Sequence, residues 1–274
     1  MDSREGVKPG VIEEAWRTYL TTGSLPDFIA APWYQSKRLR PLYRRLPADP
    51  RCRLCYYPFE GIGGVVMRRV FGIAPSKLNP HLCNLCEEFA EKYEGGAEIE
   101  LSILFADVRG STRLAEKMKP TEFSKINNRF YNAKTRILFD TGAMVEKLIG
   151  DQVTGFYTPG FSGSNHARTA VDAARAIIKA TGHHQPSGPW IPVGIGIHTG
   201  LAYVGSVNSD SGVTNVAVLG DTANTGARLA SLAGAGEVFI SQSTASAARL
   251  DTSSMEVRRL DLKGRSEPVD VWVL

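Results

Sequence analysis

The sequence predicts an α+β protein, with a ferredoxin-like βαββαβ core over residues 96–274 and a small helical, cysteine-bearing region over residues 1–95. Three observations carry that expectation. From Glu98 onward, runs that alternate in strand fashion succeed runs with helical spacing, in regular order. Before EGGAEIE (94–100), the chain instead carries two C-x-x-C pairs and a basic stretch broken by prolines. The whole chain of 274 residues, 43% hydrophobic and 22% charged with a net charge of +4, has the make-up of an ordinary globular protein.

The N-terminal region opens with VIEEAWRTYL (11–20), where Val11, Ala15, Trp16, Tyr19 and Leu20 share one side of a helix. KRLRPLYRRLPADPRCR (37–53) then sets seven Lys/Arg against one Asp and contains three prolines, which suits a solvated irregular face. No recognition helix or aromatic stacking pattern accompanies these charges, so nucleic acid is not expected as a partner. Cys52 and Cys55 form one pair and Cys83 and Cys86 the other, with 27 residues between them. Two such pairs can present four thiolates to one tetrahedral ion. Zinc is the expected metal, and an iron–sulfur cluster needs the same ligands. A region this small gains from such a staple. MDSREGVKPG lacks the apolar stretch of a signal peptide, and no run reaches the roughly 18 apolar residues of a membrane span. The cytoplasm, with its cysteines reduced, is the expected compartment.

In the larger region, EIELSILFAD (98–107) reads as a strand whose odd residues share a face that Asp107 continues. Residues 121–140 carry a helical stripe of Phe123, Ile126, Phe130, Tyr131 and Ile137. GAMVEKLIGDQVTGFY (142–157) reads as a hairpin turning at Gly150-Asp151. HARTAVDAARAIIKATG (166–182) is an Ala-rich helix, and WIPVGIGIHTGLAYVGSV (190–207) reads as two strands around a His-Thr-Gly turn. A helix over 222–232, with Thr222 as its N-cap, and strands near 237–240, 256–262 and 268–273 complete the pattern.

In this arrangement Asp107, at a strand end, and Asp151, at a hairpin tip, come out as neighbours. Two adjacent carboxylates repel unless a cation lies between them, and a hard divalent cation shares its oxygen ligands with substrate phosphates. Gly110, Ser111 and Thr112 precede a helix, where free amides suit an anion. Asn224 and Arg228 are four apart on one helix, and Lys263 adds a cation near a glycine turn. Taken singly, each has a plain structural role open to it as a turn residue, cap or surface charge.

FADVRGST (105–112), EKLIGDQVTGFY (146–157), VGIGIHTG (193–200), LGDTANTGAR (219–228) and LKGRSEPVDVW (262–272) stand in the order found in class III nucleotidyl cyclases. On these motifs, residues 98–274 resemble the adenylate/guanylate cyclase catalytic domain. The resemblance implies Asp107 and Asp151 as metal ligands with the Val108 carbonyl beside them. It likewise implies Asn224 as the ribose-orienting residue, Arg228 as the transition-state arginine and Lys263 as a phosphate contact. Two Mg²⁺ or Mn²⁺ ions per site, a nucleoside triphosphate substrate and a head-to-tail homodimer with shared sites are implied with them. Of the two base-selecting positions, Lys147 is the residue expected of adenylate cyclases, whereas Ala217 replaces the usual Asp or Thr and accepts no hydrogen bond from a base. Leu201 stands where some relatives have an arginine. The expected reaction is conversion of ATP to 3′,5′-cyclic AMP and pyrophosphate; a guanylate or pyrimidine nucleotide cyclase and a silent nucleotide sensor are the alternatives.

Overall fold

The apolar run that starts at Glu98 becomes β1 (Gly96–Val108), and it is buried almost without interruption from Leu101 to Ala106. A strand buried on one face alternates; one buried on both faces reads as a continuous apolar run, and β1 is of the second kind. Its residues belong to a computed structural model that describes residues 9–24, 50–52, 54–76, 82–145, 153–208, 214–262 and 268–274. The chain divides into two compact units. One comprises Met1–Ile99, Pro159–Phe161 and Tyr203–Leu219; the other comprises Glu100–Thr158, Ser162–Ala202 and Gly220–Leu274.

In the first unit, α1 (Pro9–Thr22) buries most of the predicted side, with Ala15, Trp16 and Leu20 fully covered and Tyr19 buried, whereas Val11 in its first turn is exposed. The Trp16 indole donates to the Tyr93 carbonyl at 2.7 Å, and its ring meets Phe89 at 4.9 Å. Tyr19 stacks between Phe89 (5.2 Å) and Phe161 (5.3 Å), so aromatic rings supply much of this unit's core. The helix α2 (Gly61–Phe71) has no counterpart in the sequence reading, because three of its first four residues are glycine and disfavour a helix. Gly64 is needed there: a Cβ would lie 2.4 Å from the Phe59 carbonyl carbon. Gly72, at φ 67°, closes the helix in the left-handed conformation. α3 (Asn84–Lys92) starts directly after Cys83.

The second unit adds α4 (Ser111–Lys117), α5 (Pro120–Asp140), β2 (Met144–Val145) and β3 (Val153–Tyr157); in chain order α6 (Pro159–Ser162), all but Ser162 of the first unit, and then α7 (His166–Ala180) follow. β4 (Val193–Asn208) and β5 (Thr214–Leu219) come next, then α8 (Asp221–Leu232), β6 (Val238–Ser241), α9 (Gln242–Ala247), β7 (Glu256–Leu260) and β8 (Val269–Val273). The strand order is β2-β3-β1-β4-β6-β8-β7. β1 pairs with β3 antiparallel, Phe105 opposite Thr154, and β4 with β6 parallel, Ile195 opposite Val238. Its β2-β3-β1-β4 part, with α5 and α7 as connections, is the expected ferredoxin-like core in a mixed α+β sheet. Met144 and Val145 pair with Phe156 and Gly155 as a hairpin requires; its predicted turn at Gly150-Asp151 lies outside the described residues.

Leu104, Ala106 and Val108 of β1 join Ile195 and Ile197 of β4 under α5 and α7. Ala170, Ala173 and Ala174 are fully buried, which lets α7 approach the sheet closely, as its composition predicts. The opposite face takes α8, where Gly226 sits against Ile103 and Phe105. Two expectations are corrected here. β4 runs unbroken through His198-Thr199-Gly200 rather than turning there. The strand glycines serve helix approach instead: a Cβ on Gly196 would lie 2.2 Å from the Ala230 nitrogen, and one on Gly200 2.8 Å from the Thr222 hydroxyl. Thr222 is not the N-cap, a place held by Gly220; it lies inside α8 and donates its hydroxyl to the Leu201 carbonyl at 2.6 Å. A short polar side chain next to a glycine fits both positions, so sequence alone places the cap ambiguously. Where β4 and β5 fall in the first unit they form an antiparallel ladder, with Ala217 opposite Gly205.

Candidate functional site

Asp107 and Val108 end β1, and the chain turns at Gly110, whose φ of 65° demands a residue without a Cβ penalty. Ser111 and Thr112 open α4, with no side-chain cap on the helix. Val108 is buried, whereas the Asp107 carboxylate is about a quarter exposed (24%). Asp107 therefore meets solvent at the rim of a strand whose interior is apolar. Its Oδ2 is in ion-pair contact with Arg109 Nη2. The same guanidinium, through Nη1, donates to the Ser231 carbonyl at 2.7 Å. The Arg109 amide donates to the Pro192 carbonyl at 2.9 Å.

Ser231 lies in the last turn of α8, the helix that carries Asn224 and Arg228. Asn224 is exposed in the first half of that helix, and Arg228, one turn on, is half-buried. The Arg228 carbonyl accepts the Ser231 hydroxyl at 2.8 Å. Arg109 thus ties the carboxylate at the end of β1 to the C-terminal end of the helix with the amide–guanidinium pair. Sequence reasoning passed over Arg109 as a spacer. Its signal was present in part, since an Asp and an Arg two positions apart at a strand end lie within reach of an ion pair. Asp151, Lys147 and Lys263 lie outside the described residues. Ala217 sits half-buried in β5.

The polar residues of VGIGIHTG are used internally. Thr199 is buried, its hydroxyl 2.7 Å from Ser102 Oγ and 3.1 Å from Thr244 Oγ1. Ser102 Oγ in turn lies 3.0 Å from Nδ1 of buried His166. Burial holds the His166 imidazole below its ordinary pKa, and Glu100 partly offsets this. His198 Nδ1 meets Ser241 Oγ at 2.8 Å. These hydroxyls and rings satisfy one another inside the sheet–helix layers.

The second candidate is a metal centre in the first unit. Cys52, Cys55, Cys83 and Cys86 are all buried, and their sulfurs lie within 4.8 Å of one another. Cys55 and Cys83 Sγ are 3.6 Å apart, close to the roughly 3.8 Å edge of a tetrahedron of sulfurs 2.3 Å from a zinc ion. Bridges between Arg51 and Pro58 and between Pro75 and Cys83 hold the two C-x-x-C segments. Tyr56, at φ 67°, makes the tight return after the first pair, and the Cys83 amide donates to Cys52 Sγ at 3.3 Å. Burial disfavours a thiolate at Cys52, but hydrogen bonds from the other three thiols outweigh it and hold this group well below the usual thiol range. Burial and then the contact with Cys52 push Cys55 up; Cys86 is raised first by its contacts with the other cysteines. Such a cluster concentrates negative charge where a soft cation has four ligands ready.

Known proteins share the architecture of about two thirds of this chain. Across 65% of this chain and 94% of the other, it resembles the adenylyl cyclase CyaB from P. aeruginosa with a TM-score of 0.57 and 26% identity. The guanylyl cyclase Cya2 gives a TM-score of 0.55 and 28% identity over 65% of this chain and 93% of the other. In sequence, an adenylate cyclase of Anabaena cylindrica is 28% identical over 160 residues, 56% of this chain and 32% of that protein. The human atrial natriuretic peptide receptor 2 is 27% identical over 193 residues, 67% of this chain and 18% of the receptor. The chain spans about a third or less of the length of these relatives. No helix among the described residues is long and apolar enough to cross a membrane. The model of the adenylate and guanylate cyclase catalytic domain matches residues 96–274, taking in the end of β1, the amide–guanidinium helix and every strand of the sheet. By that match, this chain belongs to the adenylate and guanylate cyclase catalytic domain family.

Proposed function

We propose that the chain converts ATP to 3′,5′-cyclic AMP and pyrophosphate at sites shared between two copies arranged head to tail. The observation that carries this is the family match over residues 96–274 in a chain that keeps Asp107, Asn224 and Arg228 at a strand end and on a helix face. Asp107, the Val108 carbonyl and Asp151 would hold two divalent cations, Mg²⁺ or Mn²⁺. The donor set fits: oxygen ligands only, with a partly exposed carboxylate at an apolar rim. When bound, the ions supply Lewis acidity that favours ionisation of the 3′-hydroxyl and stabilises departing pyrophosphate.

The chain's own residues do the rest. Asn224 orients the ribose so that its 3′-oxygen faces the α-phosphorus, a gain through alignment. Arg228 offsets charge that grows on the phosphoryl oxygens, where a preorganised cation is worth most. Lys263 and the amides of Gly110, Ser111 and Thr112 receive the phosphate chain. Lys147 donates to a ring acceptor of the base, which favours adenine; Ala217 contributes only shape. The second copy is required because, in this reading, the carboxylates of one copy face the Asn224–Arg228 pair of the other. Residues 1–95 form a separate N-terminal region in which Cys52, Cys55, Cys83 and Cys86 hold a structural zinc ion, and the catalytic domain spans 96–274.

A second reading concerns the base. Relatives named as adenylate and as guanylate cyclases occur together, and Ala217 removes one usual hydrogen bond, which favours a broader choice of base. Incubation of the purified chain with each of the four nucleoside triphosphates and Mg²⁺ or Mn²⁺, with products identified by mass spectrometry, separates the two. Cyclic AMP as the main product supports the proposal. Cyclic GMP or a cyclic pyrimidine nucleotide shifts the base alone, and no cyclic product from any substrate sinks the cyclase reading.

A further inference from the structure

We infer that Arg109 is a positioning residue that stands in for a cation at Asp107 and links metal occupancy there to the seat of α8. The inference rests on the reading of Asp107 as a metal ligand. One guanidinium makes two dissimilar contacts. Nη2 pairs with the Asp107 carboxylate, and Nη1 donates to the Ser231 carbonyl at 2.7 Å, in the last turn of the helix carrying Asn224 and Arg228. Its backbone is fixed independently by the bond from its amide to the Pro192 carbonyl. The side chain is only 21% exposed, so the pair is partly shielded from solvent.

These contacts have opposite consequences for a metal. A guanidinium bound to Asp107 offsets the charge a divalent cation would use, and so competes with it. The planar fork, held to a helix carbonyl, also braces α8 against the end of β1. Helix C-terminal carbonyls lack intrahelical donors, so Arg109 satisfies one that would otherwise face solvent. Arrival of a cation at Asp107 draws the carboxylate from Arg109 and leaves the guanidinium on Ser231. Metal binding and helix seating are therefore linked, and by reciprocity each alters the free energy of the other. Lysine offers the charge without the fork and separates the two effects.

The test uses the full chain without nucleotide, titrated with Mn²⁺ and followed by electron paramagnetic resonance of the free ion. The difference between wild type and Asp107→Ala defines the site. Arg109→Ala is expected to tighten Mn²⁺ binding there roughly three- to fivefold, the most a partly exposed ion pair withholds. Arg109→Lys is expected to keep the wild-type affinity. With nucleotide, both variants lose kcat about tenfold or more while KM changes less than twofold, because lysine does not restore the brace. Arg109→Ala binding Mn²⁺ no more tightly than wild type overturns the inference, as does Arg109→Lys with full kcat. Both results leave the cyclase reading standing. An Asp107→Ala chain that binds Mn²⁺ as wild type does overturns this inference together with the metal reading of Asp107.

Discussion

The two units solve the problem of burial with different materials. In the first, a core of Trp16, Tyr19, Phe89, Tyr93 and Phe161 rings lies in the same unit as four buried cysteines. In the second, aliphatic strands are covered on one face by alanine-rich α7 and on the other by α8. Aromatic rings bury large area per residue, which suits a unit built on short helices; regular layers need small residues at their contacts instead. The difference teaches where each unit is vulnerable. The first depends on a few large groups and on its cysteines; the second depends on close backbone approach, and Asp107, Asn224 and Arg228 lie outside its buried core, where chemistry can change without loss of packing.

The largest expected effect tests that last point. Asp107→Ala should lower cyclase turnover by at least about a thousandfold, as loss of a metal ligand at the reacting centre does. The melting temperature should move by no more than a few degrees, since the carboxylate is at the rim. A turnover assay beside differential scanning calorimetry gives both numbers, and a collapse in melting temperature would mean that rim and packing are not separable.

Next comes Cys52→Ser, which attacks the first unit at its staple. Metal content by mass spectrometry should fall from about one equivalent of zinc to none. Loss of a structural zinc site withdraws stabilisation on the order of several kcal/mol, so a low-temperature transition should appear. A variant that keeps its metal and its melting profile would remove the cysteines from that unit's foundations.

Gly196→Ala probes the second unit's weak point with a single methyl. Its Cβ would lie 2.2 Å from the Ala230 nitrogen and 2.7 Å from the Gly226 carbonyl oxygen, both backbone atoms of α8. Overpacking of this kind costs about 1–3 kcal/mol, or roughly 3–10 °C in melting temperature for a domain of this size. Displacement of α8 should also lower turnover, because the helix carries Asn224 and Arg228.

The smallest effect concerns pH. The neutral His166 is favoured in the folded unit because burial depresses its pKa, so the unfolded chain binds more protons as acid is added. That contribution is fully present above the ordinary histidine pKa of about 6.5 and is lost as pH falls through the lower folded value. Melting curves at pH 7.5 and 5.5 should show a smaller drop for His166→Gln than for wild type. Some slope should persist, because burial depresses His183 as well.

How far all this was legible in the sequence depends on what set each element. α5 and α7 were legible because burial on one face prints a period on the chain. β1 was legible because a long apolar run suits a strand buried on both faces, and the β2–β3 hairpin because a Gly-Asp dipeptide joins two strand patterns. β4 was misread since Gly200, after His198 and Thr199, looks like a turn signal, whereas it and Gly196 admit α8 across the strand. α2 escaped notice because Gly61, Gly63 and Gly64 argue against a helix, and the need for Gly64 arises from the Phe59 backbone, which sequence does not display. At the candidate site, residue type and spacing single out Asp107, Asn224 and Arg228, and the resemblance supplies the roles proposed for them. The bond from Arg109 to Ser231 spans 122 positions and joins a side chain to a backbone carbonyl, a contact that leaves no trace in residue identity.

The glycines under α8 have one more consequence. Where side chains separate a helix from a sheet, every change in their volume shifts the helix a little. Here Gly196 of β4 brings its main chain against the main chain of α8 with no such padding. The offset between β4 and α8 at this point is thus gauged by peptide geometry, which does not vary with sequence. The rest of the core is free to drift in composition while Asn224 and Arg228 keep their distance from the strand, so the site is indexed like a part against a hard stop.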